Sequence, residues 1–228
     1  MLNKLMSIVL VVSLQFIFAQ EGYNTNSDFS LDYTLNGHET ADFPDYLNSL
    51  GAQSVLAGMD FDGDSLYEIL FSIDETLAPG GPDPGRQGVY LYENNGTGGT
   101  GAYDYVWHFV TPDSGNSLPG MFHGDIDGDG LHEIYFGVAP APGHNDDTWG
   151  TYIFEQNADG TFPAEPTLLF QYGMTSADNF RPAAYDLADV DGDGKVELCT
   201  VDRGARRLSI DALTGDGLDE FATFTNEF

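Results

Sequence analysis

Three stretches of the chain each set four carboxylates into nine residues: DFDGDSLYE from Asp60, DIDGDGLHE from Asp125 and DVDGDGKVE from Asp189. Numbered from the first aspartate, the acids stand at positions 1, 3, 5 and 9. They are Asp60, Asp62, Asp64 and Glu68 in the first copy, Asp125, Asp127, Asp129 and Glu133 in the second, and Asp189, Asp191, Asp193 and Glu197 in the third. Carboxylates this close repel one another unless a cation lies between them. A hard cation that takes about six to eight oxygens from carboxylates, a backbone carbonyl and water fits such a turn. Position 7, Leu66, Leu131 or Lys195, is the candidate for that carbonyl. Calcium suits this oxygen-rich set best, at about three ions per chain, one to each turn. Magnesium demands tighter octahedral geometry, and zinc prefers His or Cys, which no ligand position offers.

The residues between the acids serve the turn. Position 2 is Phe61, Ile126 or Val190 and position 10 is Ile69, Ile134 or Leu198, so apolar side chains tie both ends to a core. Position 4 is Gly each time, which lets the backbone wrap around an ion. Position 6 is Gly130 and Gly194 but Ser65 in the first copy, so a requirement for positive φ there would make the first site the weakest. An EF-hand loop opens similarly but needs a Glu at position 12 followed by a helix. Here position 12 is Phe71, Phe136 or Thr200, and a strand-like segment follows. The remaining alternative to a metal site is a set of solvated acidic hairpin tips.

The turns recur at spacings of 65 and 64 residues, and a second similarity trails them: YLYENNGTG from Tyr90, YIFEQNADG from Tyr152 and the weaker LSIDALTGDG from Leu208. A fixed period of this length marks a repeat architecture. Each repeat parses into four extended segments rich in aromatic and β-branched residues, as in PGMFHGD, EIYFGVA, TYIFEQN and EPTLLFQYG, with no sustained helical stripe. The expected fold is all-β, built of four-stranded antiparallel sheets, with repeats at about 50–111, 112–175 and 176–228.

The pattern DxDGDGxxE followed by alternating aliphatics resembles the FG-GAP and VCBS-type repeats of integrin-α-like β-propellers, over residues 50–228. YFGVAPAPG at 135–143 is a weaker echo of the same family. The resemblance implies calcium in the hairpin between the first two strands of each blade, and a secreted or cell-surface module for adhesion. Propellers close with roughly four to eight blades, so three blades are expected to form an incomplete ring, the N-terminal part of a longer protein.

The first residues fit export. Lys4, the apolar run Leu5 to Phe18 and the small Ala19 read as a signal peptide over 1–19. Ile17 stands where a cleavage site prefers a small residue, which leaves a retained N-terminal anchor as the alternative. Residues 20–49 form an N-terminal segment that is a candidate for a strand completing a blade. Loss of residues 1–19 leaves 37 acids against six bases. Nucleic acid and anionic membranes are therefore poor partners, because binding either takes a basic footprint. Cys199 is the one cysteine, so no internal disulfide is available, and its apolar setting VELCTV reads as packing.

An up-and-down sheet alternates its loops between two edges, which puts the acidic turns and the NADG-type turns on one edge. The other edge carries Asp74–Gln87, Ala139–Thr148 and Asp202–Arg207, with the links Thr111–Leu118 and Gly173–Arg181. Long loops on a rigid scaffold are where binding resides, and HNDDTW at 144–149 mixes groups suited to sugar or peptide, although Trp149 also reads as the start of a strand. His123 and His132 read as packing or surface residues, and no nucleophile elbow, phosphate loop or zinc motif occurs. Asn95-Gly96-Thr97 is a glycosylation sequon if the host modifies exported proteins. The expected function is a calcium-binding propeller that engages an extracellular protein or carbohydrate and is not an enzyme. The alternatives are the propeller portion of a polysaccharide-acting enzyme and a calcium-stabilised spacer.

Overall fold

The computed structural model describes residues 52–75, 86–97, 102–111, 120–140, 148–204, 206–215 and 217–227. They fall within one compact unit. The signal peptide, the segment 20–49 and most of the loops 74–87, 111–118 and 139–148 lie outside the described residues.

The chain forms three four-stranded antiparallel sheets, each an up-and-down meander. The first holds β1 (Ala52–Met59), β2 (Glu68–Glu75), β3 (Arg86–Asn94) and β4 (Tyr103–Val110). The second holds β5 (Met121–Gly124), β6 (Glu133–Val138), β7 (Gly150–Glu155) and β8 (Leu168–Phe170). The third holds β9 (Pro182–Ala188), β10 (Glu197–Asp202), β11 (Arg207–Thr214) and β12 (Thr223–Asn226). Its fourth strand thus comes from residues 223–226. Among the described residues there is no α-helix and no closed barrel, which is the arrangement of propeller blades in an incomplete ring.

Side chains alternate between the faces of a strand, and the sheets stack through those faces. Ile134, Phe136, Val138, Tyr152 and Phe154 of the second sheet pack against Leu70, Val89, Leu91, Trp107 and Phe109 of the first. Tyr135 and Ile153, of opposite parity, pack with Tyr185, Leu198 and Leu213 of the third. The central sheet is therefore covered on both faces and every residue of β6 is buried. That is why IYFGV, residues 134–138, reads as a continuous apolar run after the buried Glu133. Aromatic side chains dominate the first junction: ring centroids of Trp107 and Phe109 lie 5.0 and 4.9 Å from Phe154. Such pairs add about 0.5–1.5 kcal/mol each beyond their buried area.

The second junction mixes apolar and polar contacts. Phe170 stacks on Phe224 at 4.5 Å, and the Thr151 hydroxyl lies 2.8 and 2.9 Å from those of Tyr172 and Tyr185. Gly137 is required here, because a Cβ on it would stand 2.1 Å from Pro182 Cγ and 2.3 Å from the Tyr185 hydroxyl. Trp149 is 2% exposed and packs on Phe180, so it serves the core rather than a ligand. The face of the third sheet that carries Val201 and Leu208 is open, at 46% and 48% exposure. It corresponds by register to faces that the following sheet covers in the first two cases.

The backbone at position 6 of each acidic turn is left-handed, with φ of 72° at Ser65, 90° at Gly130 and 95° at Gly194. A residue with a Cβ costs about 1 kcal/mol in that region. Ser65→Gly is accordingly expected to raise the thermal midpoint by a few degrees, corresponding to up to about 1 kcal/mol. Differential scanning calorimetry checks this, and an unchanged or lower midpoint would contradict the strain.

Candidate metal-binding turns

Each acidic turn joins the first two strands of its sheet, and the same hydrogen bonds at positions 3, 5 and 9 shape all three. The position 3 aspartates, Asp62, Asp127 and Asp191, accept the N–H two residues on at 3.1, 3.2 and 2.9 Å. The position 5 aspartates, Asp64, Asp129 and Asp193, accept the N–H of Leu66, Leu131 and Lys195 at 2.7, 2.7 and 2.8 Å. At position 1, Asp125 and Asp189 each grip two glycine N–H groups, while Asp60 accepts from Ser65 and its Oδ1 has no partner.

The position 9 glutamates close the turn. Glu68, Glu133 and Glu197 accept the N–H of Phe61, Ile126 and Val190 through Oε2, at 3.2, 2.9 and 2.7 Å. All three glutamates are buried, at 2%, 0% and 1% exposure. The carboxylate crowding is thus held partly by backbone dipoles, which leaves other oxygens free to face a cation.

Among the described residues, carboxylate oxygens converge within 4.8 Å in four groups: Asp60, Asp62 and Asp64; Asp62, Glu68 and Glu93; Asp125, Asp127 and Glu133; Asp189, Asp191 and Glu197. Asp129 and Asp193 stand outside these groups, each bound to its own turn. The second turn gives the clearest test of whether a cation fits. Glu133 Oε2 accepts from both Ile126 N–H and the Tyr135 hydroxyl, whereas Glu133 Oε1 is buried without a hydrogen-bond partner. A buried orphan carboxylate oxygen is costly unless a positive charge meets it. A hard divalent cation among Asp125, Asp127 and Glu133 would supply that charge, so the residues fit one.

Glu93 was not among the residues expected from the acidic motif. It comes from the neighbouring β3, where it pairs with Glu68 across the strands. Its signal in the sequence is the trailing repeat, YEN at 92–94 and FEQ at 154–156, although only strand register brings the acid to the turn.

The first two turns also touch the following sheet. Phe61 sits in a cage of His123, His132 and Phe162, with ring centroids 5.6, 5.8 and 5.1 Å away, and its carbonyl accepts a hydrogen bond from Gln156 Nε2. Both histidines therefore serve the junction between sheets. In the second turn, Asp127 Oδ2 accepts the N–H of Leu218 from the third sheet at 2.9 Å. The acidic turn and the turn between the last two strands of the next sheet share one edge, as the alternation of loops requires.

The family model described as an FG-GAP-like repeat matches residues 125–200, from the first aspartate of the second turn to Thr200 on β10. No curated protein matches the chain. Among the described residues no helix is long and apolar enough to cross a membrane.

Without metal, Glu133, Glu68 and Glu155 resist ionisation. Burial raises Glu133 to about 8, with the charges of Asp127 and Asp125 adding to it and the Ile126 N–H and Tyr135 hydroxyl opposing. Burial likewise raises Glu68 to about 7, and Glu155 to about 7 with the fields of Asp127, Asp129, Asp125 and Asp219 adding. These folded values lie above the ordinary 4.5. Between them the folded state holds more protons than the unfolded state, so stability falls as pH rises through the window. Burial lowers His123 and His108 below the ordinary histidine value, and the neighbouring His132 adds to the effect at His123. The chelated protein is expected to gain thermal stability as pH is lowered from about 8.5 to about 6.5, measured by circular dichroism melts in chelator. A midpoint that falls over that range would contradict the burial of these acids.

Proposed function

We propose that the protein is a calcium-binding, propeller-type module of the extracellular space or cell surface, which presents loops to a protein or carbohydrate ligand and does no chemistry of its own. The observation that carries the calcium reading is the buried Glu133 Oε1, unpartnered beside Asp125 and Asp127. Asp60, Asp62, Asp64 and Glu68 hold the first ion in this reading, Asp125, Asp127, Asp129 and Glu133 the second, and Asp189, Asp191, Asp193 and Glu197 the third. The carbonyls of Leu66, Leu131 and Lys195 complete the sets. When bound, calcium neutralises the crowded acids and stiffens the β1–β2, β5–β6 and β9–β10 hairpins, a role that disulfides cannot take with Cys199 the one cysteine.

The match to an FG-GAP-like repeat over residues 125–200 supports the extracellular setting. Ligand contact is assigned to the opposite edge, where the long connections between β2 and β3 and between β6 and β7 lie. The strongly acidic balance favours a partner that is not itself an anion. No nucleic acid is expected to bind, and no membrane insertion is expected once residues 1–19 are removed.

Calcium that binds only the folded chain stabilises it by RT ln(1 + [L]/Kd). With the affinities of extracellular modules, on the order of 10⁻⁴ to 10⁻³ M, millimolar calcium is expected to add about 0.4–1.4 kcal/mol per site. Thermal melts with and without calcium check the rise. The double substitution Asp127→Ala and Asp129→Ala is expected to remove one ion from the stoichiometry measured by isothermal titration calorimetry, and an unchanged stoichiometry would defeat the assignment. Exchange of the long loops is expected to abolish ligand capture while the melt is preserved.

A further inference from the structure

The pairing of the second and third strands places one particular residue opposite the position 9 glutamate in every sheet. It is Glu93 opposite Glu68, Glu155 opposite Glu133 and Ala212 opposite Glu197. Directly opposed residues of an antiparallel pair project from the same face, with Cβ atoms about 4.5–5.5 Å apart. Two carboxylates in that position destabilise the sheet unless something positive lies between them. The first sheet brings the oxygens together: Glu93, Glu68 and Asp62 converge within 4.8 Å. In the second sheet both facing glutamates carry a buried oxygen without a partner, Glu133 Oε1 and Glu155 Oε2, and Glu133 is fully buried. Among the described residues no lysine or arginine forms an ion pair with either pair of glutamates, and β11 has Ala212 in place of the opposing acid.

We infer that Glu93 and Glu155 are additional cation-facing carboxylates supplied by the third strand, so that the first two turns are five-carboxylate sites and the third is a four-carboxylate site of lower affinity. This rests on the calcium reading above and deepens it. Ligand charge count is one of the quantities that sets calcium affinity in oxygen sites. The neighbourhoods differ in the same direction. The second turn is also tied to the following sheet, through Leu218 N–H on Asp127, whereas Val190 of the third turn is 51% exposed. Glu227 lies near Asp191, Glu197 and Asp193, but it is exposed and sits beyond β12 rather than on β11. The left-handed Ser65 affects the fold of the first turn with or without an ion, so its cost falls on stability more than on affinity.

Calcium titration of the full chain by isothermal calorimetry tests the grading. The wild type is expected to show two tighter sites and one weaker. Glu155→Gln is expected to move one site to the weaker class, an affinity loss of about tenfold or more, and Glu93→Gln to do the same for another. Ala212→Glu is expected to move the third site into the tighter class. A structural role for Glu155 would make its loss destabilising in chelator. The inference requires the reverse: Glu155→Gln raises the melting midpoint of the calcium-free protein and shrinks the rise that calcium produces. If Glu155→Gln and Glu93→Gln leave the affinity classes unchanged while Asp127→Ala with Asp129→Ala still deletes a site, the added ligands are refuted and the calcium reading stands. If none of these variants alters calcium binding, both fall. The two glutamine variants add no bulk, so the test stands even if Ala212→Glu fails to fold.

Discussion

The hydrogen bond from the position 2 N–H to the position 9 glutamate is the contact on which each repeat depends. It links the end of the first strand to the start of the second, and in doing so it draws a carboxylate into a nearly water-free position. A buried carboxylate is unfavourable by itself, so the structure offsets it with backbone donors and surrounds it with further oxygens aimed at a common point. The hairpin geometry and the convergence of carboxylate oxygens are therefore two aspects of one arrangement. A helix-flanked loop would have no reason to bury that glutamate, because its carboxylate would come from a helix rather than from the first residue of a strand.

The same turn couples neighbouring sheets. In the first two turns the position 2 side chain points away from its own sheet into the next, with Phe61 enclosed by His123, His132 and Phe162, and Ile126 in the core that contains Leu198 and Leu213. Stiffening of the turn would thus be felt at the junction between sheets as well as within one. The two junctions differ in character: the first is dominated by aromatic stacking, the second adds hydroxyl contacts and a close approach at Gly137. Close approach of this kind fixes the distance between sheets, since any side chain at Gly137 would collide with Pro182 and Tyr185.

The two edges of each sheet differ in build. The edge with the acidic turns is dense with hydrogen bonds from backbone N–H groups to carboxylates, and β2 and β6 end at the opposite edge. Loops held on such a frame can vary without disturbing the sheets.

The sequence by itself determined the repeat, the strand-rich units and the twelve motif carboxylates, because these depend on local spacing: a glycine at position 4, acids at every second residue, apolar residues at positions 2 and 10. It also pointed to positive φ at position 6, which Ser65 adopts at 72°. Trp149 and the two histidines could be read either way, and burial placed Trp149 in the core and the histidine rings around Phe61. What only the tertiary structure decided was pairing. Glu93 lies 25 residues beyond Glu68 in the chain, and nothing in local composition says that the two face each other; register does. The absence of that partner at Ala212, the orphaned oxygen of Glu133 and the double-sided burial of β6 follow in the same way. Side-chain chemistry is written along the chain, but which charges share a space is set by hydrogen bonds between strands distant in sequence.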